Sequence, residues 1–172
     1  MTTLTWITTK DTAPLLRAAL RAAFPGVNFS VRMNRGSSHG WLNVSWADGP
    51  TYSVVGELCS RYEGSRFDGM DDGYHSVPSS LVAFAGEELP REVRFSCRGV
   101  ATTRTIGPAG WAAVIEILND AQPGVARLRS DGQGLEPGRL SVETTQKLDL
   151  EQCVDDVAYA AVRIHSQIDF TH

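Results

Sequence analysis

The sequence is short of cysteine and lacks the short motifs of the common enzyme classes. Its three cysteines, Cys59, Cys97 and Cys153, lie far apart and form no C-x-x-C pair. This spacing argues against a disulfide framework and against a cysteine zinc knuckle, so we expect buried free thiols. A G-x-S-x-G elbow, an H-E-x-x-H helix, a Walker loop and the zinc-deaminase signature are also absent. The sequence therefore favours a non-enzymatic role, without a catalytic residue, a cofactor or a bound metal.

Long apolar runs are missing as well. No window approaches the roughly 18 consecutive apolar residues that a membrane helix needs. The opening "MTTLTWITTKDTAPLLRAAL" has no basic region followed by an apolar run. We therefore expect a cytoplasmic protein that makes no membrane contact.

The chain also contains no internal repeat, low-complexity tract or long linker. Its 172 residues, 42% of them hydrophobic and 21% charged, are enough to bury a core. A single domain over residues 1–172 is the simplest organisation, and two halves joined near residue 78 are the alternative.

An excess of basic charge is missing too, because the net charge is -4. Residues 1–35 nonetheless carry five bases against one acid, whereas residues 36–92 carry nine acids against three bases. Affinity for the phosphate backbone comes largely from Lys and Arg, so a nucleic-acid binder usually has a basic excess over the whole domain. Charge therefore supports nucleic-acid contact only locally, in the N-terminal segment.

The N-terminal half shows the periodicity of a helix, two strands and a second helix. Thr12 as N-cap, Pro14 in the opening turn and apolar residues at helical spacing predict the first helix, which "FPG" ends. Alternating apolar residues over 27–33 and 40–46 predict two strands, joined by the hairpin tip "NRGSSHG". The second helix is expected from about Thr51, with an apolar stripe formed by Val54, Val55, Leu58, Cys59 and Tyr62.

The second half is less regular. Residues 92–100 alternate as a half-buried strand, "GPAGWAAVIEILND" has helical spacing, and residues 123–144 resemble loop and strand. A long C-terminal helix, capped by Asp149, is expected from an apolar stripe formed by Leu148, Leu150, Cys153, Val157, Ala161, Ile164 and Ile168. Without repeated strand-helix-strand units, we expect an α+β fold in which a small antiparallel sheet packs with helices.

One region carries a family resemblance. The run "FPGVNFSVRMNRGSSHGWLNVSWADGP", followed after a helix by "RFDGMDDGYH", resembles one of the large polyvalent protein-associated domain families, over about residues 12–77. Such domains are modules in very large proteins of phages and conjugative elements. Those proteins are thought to accompany incoming DNA and help it establish itself against host defences. The resemblance implies an accessory protein of a mobile element, in which residues 78–172 are an elaboration or a second half.

The stretch "RFDGMDDGYHSV" is a candidate binding segment because it holds three carboxylates and a histidine. Asp68 and Asp71 are expected to accept backbone hydrogen bonds in consecutive turns, with Gly69 and Gly73 at positive φ. The apolar Phe67 and Met70 would then point inward. An EF-hand fails on spacing, although a non-standard Mg²⁺ or Ca²⁺ site from Asp68, Asp71 and Asp72 stays open.

Histidine adds a second interpretation of the same stretch. His75 near three carboxylates could act as a general base or a metal ligand, although we expect it to lie too far from them to share a ligand. His39 is expected to be exposed at the hairpin tip. His165 is expected near a helix C-terminus, where a charged imidazolium is favourable.

The hairpin tip "NRGSSHG" is the other candidate binding segment. Arg32 and Arg35 flank a Gly/Ser loop that could hold a phosphate through backbone amides and guanidinium groups. Trp46 and Trp111 fall on apolar faces and are expected in the core. Trp41 lies on the opposite face of its strand from Leu42 and is the better candidate for surface contact.

Three functional hypotheses follow. The first is a non-enzymatic accessory protein of a phage or plasmid that binds a host or element-encoded macromolecule, with counter-defence as the role that the resemblance implies. The second is a nucleic-acid-contacting module that uses Arg32, Arg35 and Trp41. The third is a metal- or His-dependent hydrolase whose residues would be Asp68, Asp71, Asp72 and His75.

Overall fold

The computed structural model of the chain describes residues 4–36, 39–84, 88–150 and 155–171. The helices are α1 (Thr9–Ala23), α2 (Tyr52–Ser60), α3 (Pro108–Ala121), α4 (Val142–Lys147) and α5 (Val157–Gln167). The strands are β1 (Thr5–Ile7), β2 (Ser30–Met33), β3 (Trp41–Ala47), β4 (Ser65–Asp68), β5 (Gly73–Ser76), β6 (Ser80–Val82), β7 (Arg91–Phe95) and β8 (Gly99–Thr105). Small, mostly antiparallel sheets combined with helices confirm the α+β class. None of the described helices is both long and apolar enough to span a membrane.

The chain forms two compact units. Unit 1 comprises residues 1–46 and 52–103, and unit 2 comprises residues 47–51 and 104–172. Compactness does not decide whether either unit folds alone, so the single domain over residues 1–172 stays a prediction.

The first sheet of unit 1 has the order β1-β7-β6. Strand β7 pairs in parallel with β1 and antiparallel with β6. Its residues Val93 and Phe95 are buried with Ile7 in a small hydrophobic cluster, which confirms the alternation predicted for this strand. The sequence does not predict β1, because three residues are too few to show a period.

Helix α1 begins one turn earlier than expected. The N-cap is Thr8, whose Oγ1 accepts a hydrogen bond from the N–H of Asp11 at 3.2 Å. The same hydroxyl donates to Asp11 Oδ2 at 2.6 Å, so the two side chains hold each other at the start of the helix. Thr12 is buried inside the helix and donates to the carbonyl of Thr8, so its predicted role as N-cap is wrong.

The second sheet of unit 1, in the order β2-β3-β8, holds the main core. β2 pairs antiparallel with β3, so that Val31 lies opposite Val44 and Arg32 opposite Asn43. The predicted inward face of β3 is confirmed, and the predicted order helix, strand, strand, helix is confirmed as α1-β2-β3-α2. The cluster consists of Ala13, Leu16, Leu20, Val31, Leu42, Val44, Trp46, Val55, Cys59 and Cys97.

Two of the cysteines belong to this core. Cys59 and Cys97 are free and buried, as predicted, whereas Cys153 lies outside the described residues. Burial, above all, raises the pKa of Cys59 to about 12 and that of Cys97 to about 11. Both thiols therefore stay protonated at neutral pH and are unreactive.

Unit 2 contains α3, α4 and α5, and its C-terminal part differs from the prediction. The expected long helix is wrong: α4 ends at Lys147, and α5 begins only at Val157. Asp149 has a positive φ of 51° and caps no helix; the N-cap of α5 is Asp156, whose Oδ1 accepts from the N–H of Tyr159. The predicted stripe contributes to the core from the connection, through Leu150, and from α5, through Val157, Ala161 and Ile164. The core consists of Val114, Leu118, Ala126, Leu135, Leu140, Leu150, Val157, Ala160, Ala161 and Ile164.

Replacing Trp46 by alanine should cost about 3–5 kcal/mol of unfolding free energy. Trp46 is 3% exposed, and its ring lies 5.7 Å from that of Phe29. Trp6→Ala is the matched control: Trp6 is 60% exposed, and its loss should cost less than about 1 kcal/mol. Urea unfolding of both variants measures the difference, and equal losses would contradict the buried position of Trp46.

Candidate functional site

Strands β4 and β5 form an antiparallel hairpin with two different faces. The register places Phe67 opposite Tyr74, and Arg66 opposite His75. Because paired residues share a face and successive residues alternate, Phe67 and Tyr74 form an aromatic face, whereas Arg66 and His75 form a polar one. The segment that the sequence predicts as consecutive turns is therefore a hairpin whose turn carries the acids.

The predicted turn hydrogen bonds are present at the hairpin tip. Asp68 Oδ1 accepts from the N–H of Met70 at 2.9 Å, and Asp71 Oδ1 accepts from the N–H of Gly73 at 3.0 Å. The positive φ, however, falls at Asp72, with 53°, and at neither Gly69 nor Gly73. A short carboxylate side chain tolerates this conformation better than most, so the predicted use of the two glycines is wrong.

The apolar residues of the hairpin point outward, contrary to prediction. Phe67 is 50% exposed and Met70 is 95% exposed. Met70 lies in the turn beyond the last strand pair, and strand alternation places Phe67 beside Tyr74 instead of in the core. The hairpin therefore presents apolar surface that sequence reasoning assigned to the interior.

The turn also brings His75 to the carboxylates. His75 Nε2 lies 2.6 Å from Asp71 Oδ2, and ligand atoms of Asp68, Asp71 and His75 all lie within 4.8 Å of one another. The expectation that His75 is too far away to share a ligand is wrong, because the tight turn folds β5 back over the acids. Asp72 is not part of this group. An imidazole and two carboxylates are ligand types for a divalent ion, but both oxygens of Asp71 already have partners within the hairpin.

The aromatic face of the hairpin continues onto β3. The ring of Tyr74 lies 5.3 Å from Phe67 and 6.2 Å from Trp41, which it meets edge to face at 89°. The Trp41 ring also lies across Gly99, where an added methyl group would overlap it. We call Trp41, Phe67 and Tyr74 the aromatic surface. Trp41 is half-buried, while Phe67 and Tyr74 are half-exposed, so the surface is both anchored and accessible.

One predicted arginine lies on the same sheet face as Trp41. Arg32 is exposed and lies opposite Asn43, on the face of the sheet to which Trp41 belongs. Arg35 and His39 are exposed, and His39 Nδ1 lies 3.2 Å from the carbonyl of Gly36. Residues 37 and 38, the serines of the predicted phosphate-holding loop, lie outside the described residues.

Unit 2 contains a buried polar cluster that the sequence does not reveal. Asp48 Oδ1 accepts from the N–H of Gly107 at 2.7 Å and lies 3.0 Å from His165 Nε2. Arg104 donates to four backbone carbonyls, those of Asp48, Gly49, His165 and Ile168. No sequence signal connects residues 117 positions apart. The cluster stabilises unit 2, since each group is buried or half-buried and uses its hydrogen bonds on protein atoms.

His165 lies in the last turn of α5, as predicted, but its pKa is lowered, which disfavours the charged imidazolium. Burial is the largest cause that lowers the pKa of His165, and the charge of Arg104 also lowers it. The hydrogen bond to Asp48 opposes both. The ring stacks on Phe170 with centroids 5.4 Å apart. Its place in the core of unit 2 outweighs the favourable helix terminus.

Divalent cations should leave the melting temperature unchanged, because binding at Asp71 would displace existing hydrogen bonds. The measurement is thermal unfolding with EDTA and with millimolar Ca²⁺ or Mg²⁺. Asp71→Asn should unfold at nearly the same temperature as the unsubstituted chain, since its amide oxygen can still accept from Gly73. A rise of several degrees with either ion, abolished by Asp71→Asn, would show a cation site instead.

Acid pH should destabilise the chain through His165. The native state holds this imidazole with a lowered pKa, so the unfolded chain binds more protons as the pH falls below about 6.5. The free energy of unfolding should therefore fall from about pH 6.5 down through the folded pKa. Urea unfolding across this range should show a weaker pH dependence for His165→Gln, and an unaltered dependence for His39→Gln. If His165→Gln leaves the dependence unaltered, the lowered pKa of His165 is wrong.

Comparison with known protein families gives a match over the region that contains the aromatic surface. No curated protein and no solved structure matches the chain significantly. The family model described as large polyvalent protein associated domain 29 matches residues 7–107, which is more than half of the 172 residues and extends beyond the resemblance over 12–77. The chain therefore belongs to the family of large polyvalent protein associated domain 29.

Proposed function

We propose that the chain is a non-enzymatic accessory protein of a mobile genetic element, a phage or a plasmid, and acts in the cytoplasm. It binds a macromolecule of the host or of the element, and by this binding weakens a host defence. Family membership supports the proposal, because such domains are associated with polyvalent proteins. The buried free thiols Cys59 and Cys97 agree with a reducing compartment.

The observation that carries the proposal is the aromatic surface. Phe67 and Tyr74 expose about half of their area while touching each other, and Trp41 anchors them to the sheet. Large aromatic rings beside arginine are the residue types that dominate binding energy at interfaces. Contiguous exposed rings on an ordered scaffold lose little entropy on binding, so this surface is suited to docking.

Binding is favoured over hydrolysis by the hydrogen bonds of the hairpin turn. In the hydrolase hypothesis, Asp68, Asp71, Asp72 and His75 would hold a metal ion or activate water. Asp71 instead uses one oxygen for Gly73 and the other for His75, while Asp68 accepts from Met70. These bonds give the acids a role in shaping the turn.

A capture experiment with the intact chain tests the proposal. Immobilised unsubstituted chain and the double variant Phe67→Ala/Tyr74→Ala are incubated with bacterial lysate, and retained protein and nucleic acid are quantified. The double variant should lose the retained partner, while Tyr159→Ala, which removes an exposed tyrosine of α5, should keep it. Equal retention by all three would contradict docking at the aromatic surface.

A further inference from the structure

Acidic and basic side chains are distributed unevenly around the aromatic surface. By strand alternation and register, the outer face of β2 and β3 carries Ser30, Arg32, Asn34, Trp41, Asn43 and Ser45. On the hairpin, Ser65 and Ser76 pair on the face of Phe67 and Tyr74. None of these described residues is a carboxylate. The acids of the hairpin lie at its turn and on its other face, where Asp71 pairs with His75.

One basic group lies on the same sheet face as Trp41. Asn34 donates its N–H to the carbonyl of Trp41, which continues the pairing of β2 with β3 and places Arg32 diagonal to Trp41. The exposed Arg98 instead has its side-chain carbons against Gly40, which strand alternation places on the opposite face from Trp41. The surface therefore combines exposed rings, neutral polar side chains and the guanidinium group of Arg32.

We propose that this surface binds single-stranded nucleic acid, with bases stacked on Trp41, Tyr74 and Phe67 and a phosphate held by Arg32. The proposal rests on the docking role of the aromatic surface in the proposed function, and it names the partner. Charge complementarity selects a polyanion, since the surface carries arginine without a carboxylate. Aromatic side chains stack on bases of any sequence.

The exposed rings select a single strand over a duplex. Bases within a duplex are stacked on one another and offer no free face to a side chain. Nucleotides follow each other by about 3.4 Å along a stacked strand. The rings of Phe67 and Tyr74 are tilted by 58°, and those of Trp41 and Tyr74 by 89°, so they cannot continue one stack of parallel bases and would each receive a separate, unstacked base. Neutral side chains such as that of Asn43 lie on the same face. They can form hydrogen bonds with the edges of the bases.

Electrostatics predicts weak, salt-sensitive binding. Each phosphate neutralised on a single strand contributes about 0.7 to the slope of log affinity against log salt. Arg32 therefore contributes about 0.7 to this slope, and the net charge of -4 opposes approach by any other part of the chain. Affinity should come mainly from stacking, and specificity for sequence should be low.

Fluorescence anisotropy with the intact chain tests the inference. The probes are a fluorescein-labelled oligothymidylate of about 20 nucleotides, longer than the roughly 4–16 nucleotides that one small domain covers, and a duplex of the same length. We expect tighter binding of the single strand at low salt. Phe67→Ala and Tyr74→Ala should each weaken it by about 5- to 150-fold. Arg32→Ala should lower the salt slope by about 0.7, and Arg32→Lys should preserve it.

Matched control variants distinguish a loss of binding at the aromatic surface from a loss of folding. Tyr159→Ala and Arg163→Ala remove an exposed aromatic ring and an exposed guanidinium from α5, and both should bind like the unsubstituted chain. Phe67 and Tyr74 are half-exposed, so their variants should keep the melting temperature. If the Tyr74→Ala variant unfolds, binding by the Phe67→Ala variant still tests the inference. The Phe67 ring contacts Tyr74 and takes no part in the contact between Tyr74 and Trp41.

The outcomes distinguish the inference from the proposed function. Absence of oligonucleotide binding, equal binding of the duplex, or indifference to both aromatic variants would overturn the inference. If capture from lysate still depends on Phe67 and Tyr74 and survives nuclease treatment, the docking role stands and the partner is a protein. If neither capture nor oligonucleotide binding depends on these residues, both proposals fail.

Discussion

The pairing of β2 with β3 decides both the core and the candidate surface of unit 1. Successive residues of a strand point to opposite faces, so the register that buries Leu42, Val44 and Trp46 also turns Asn43 outward beside Trp41. A slip by one residue would exchange the two sets and expose the core. The hydrophobic effect that fixes this register therefore also fixes the positions of the groups available for binding.

The hairpin β4-β5 depends on the same sheet for its aromatic anchor. A two-stranded hairpin is marginally stable in water unless it packs on something else. Here Tyr74 contacts Trp41, and Ser65 Oγ donates to the carbonyl of Arg98 at 2.8 Å. Gly99 permits the arrangement, because any side chain there would overlap the Trp41 ring. Loss of this glycine would move the ring that organises the surface, without changing any charge.

The packing of unit 2 is constrained by something else, the free-energy cost of burying polar groups. Arg104 offsets its desolvation by donating to several carbonyls, and Asp48 offsets its own through Gly107 and His165. The absence of a side chain at Gly110 leaves room for the Asp48 carboxylate, which an added methyl group would overlap. The cluster thus links a short segment near residue 48 with the C-terminal residues of the same unit.

The sequence by itself determined the elements whose patterns are long and periodic. The helix, strand, strand, helix order, the inward face of β3, the burial of Cys59 and Cys97, the α+β class and the family were all readable from residues close together in the chain. Local hydrogen bonds of Asp68 and Asp71 were predictable for the same reason, because each acceptor lies two residues from its donor.

Only the tertiary structure decided what distant residues do together. Short strands such as β1 show no period, and the single apolar stripe predicted for the C-terminus is divided between the connection that follows α4 and α5. The contact of Tyr74 with Trp41 and the lowered pKa of His165 beside Asp48 depend on neighbours far away in sequence. The physical reason is that burial and pairing are set by which chain segments meet in space, and a local pattern does not contain that information.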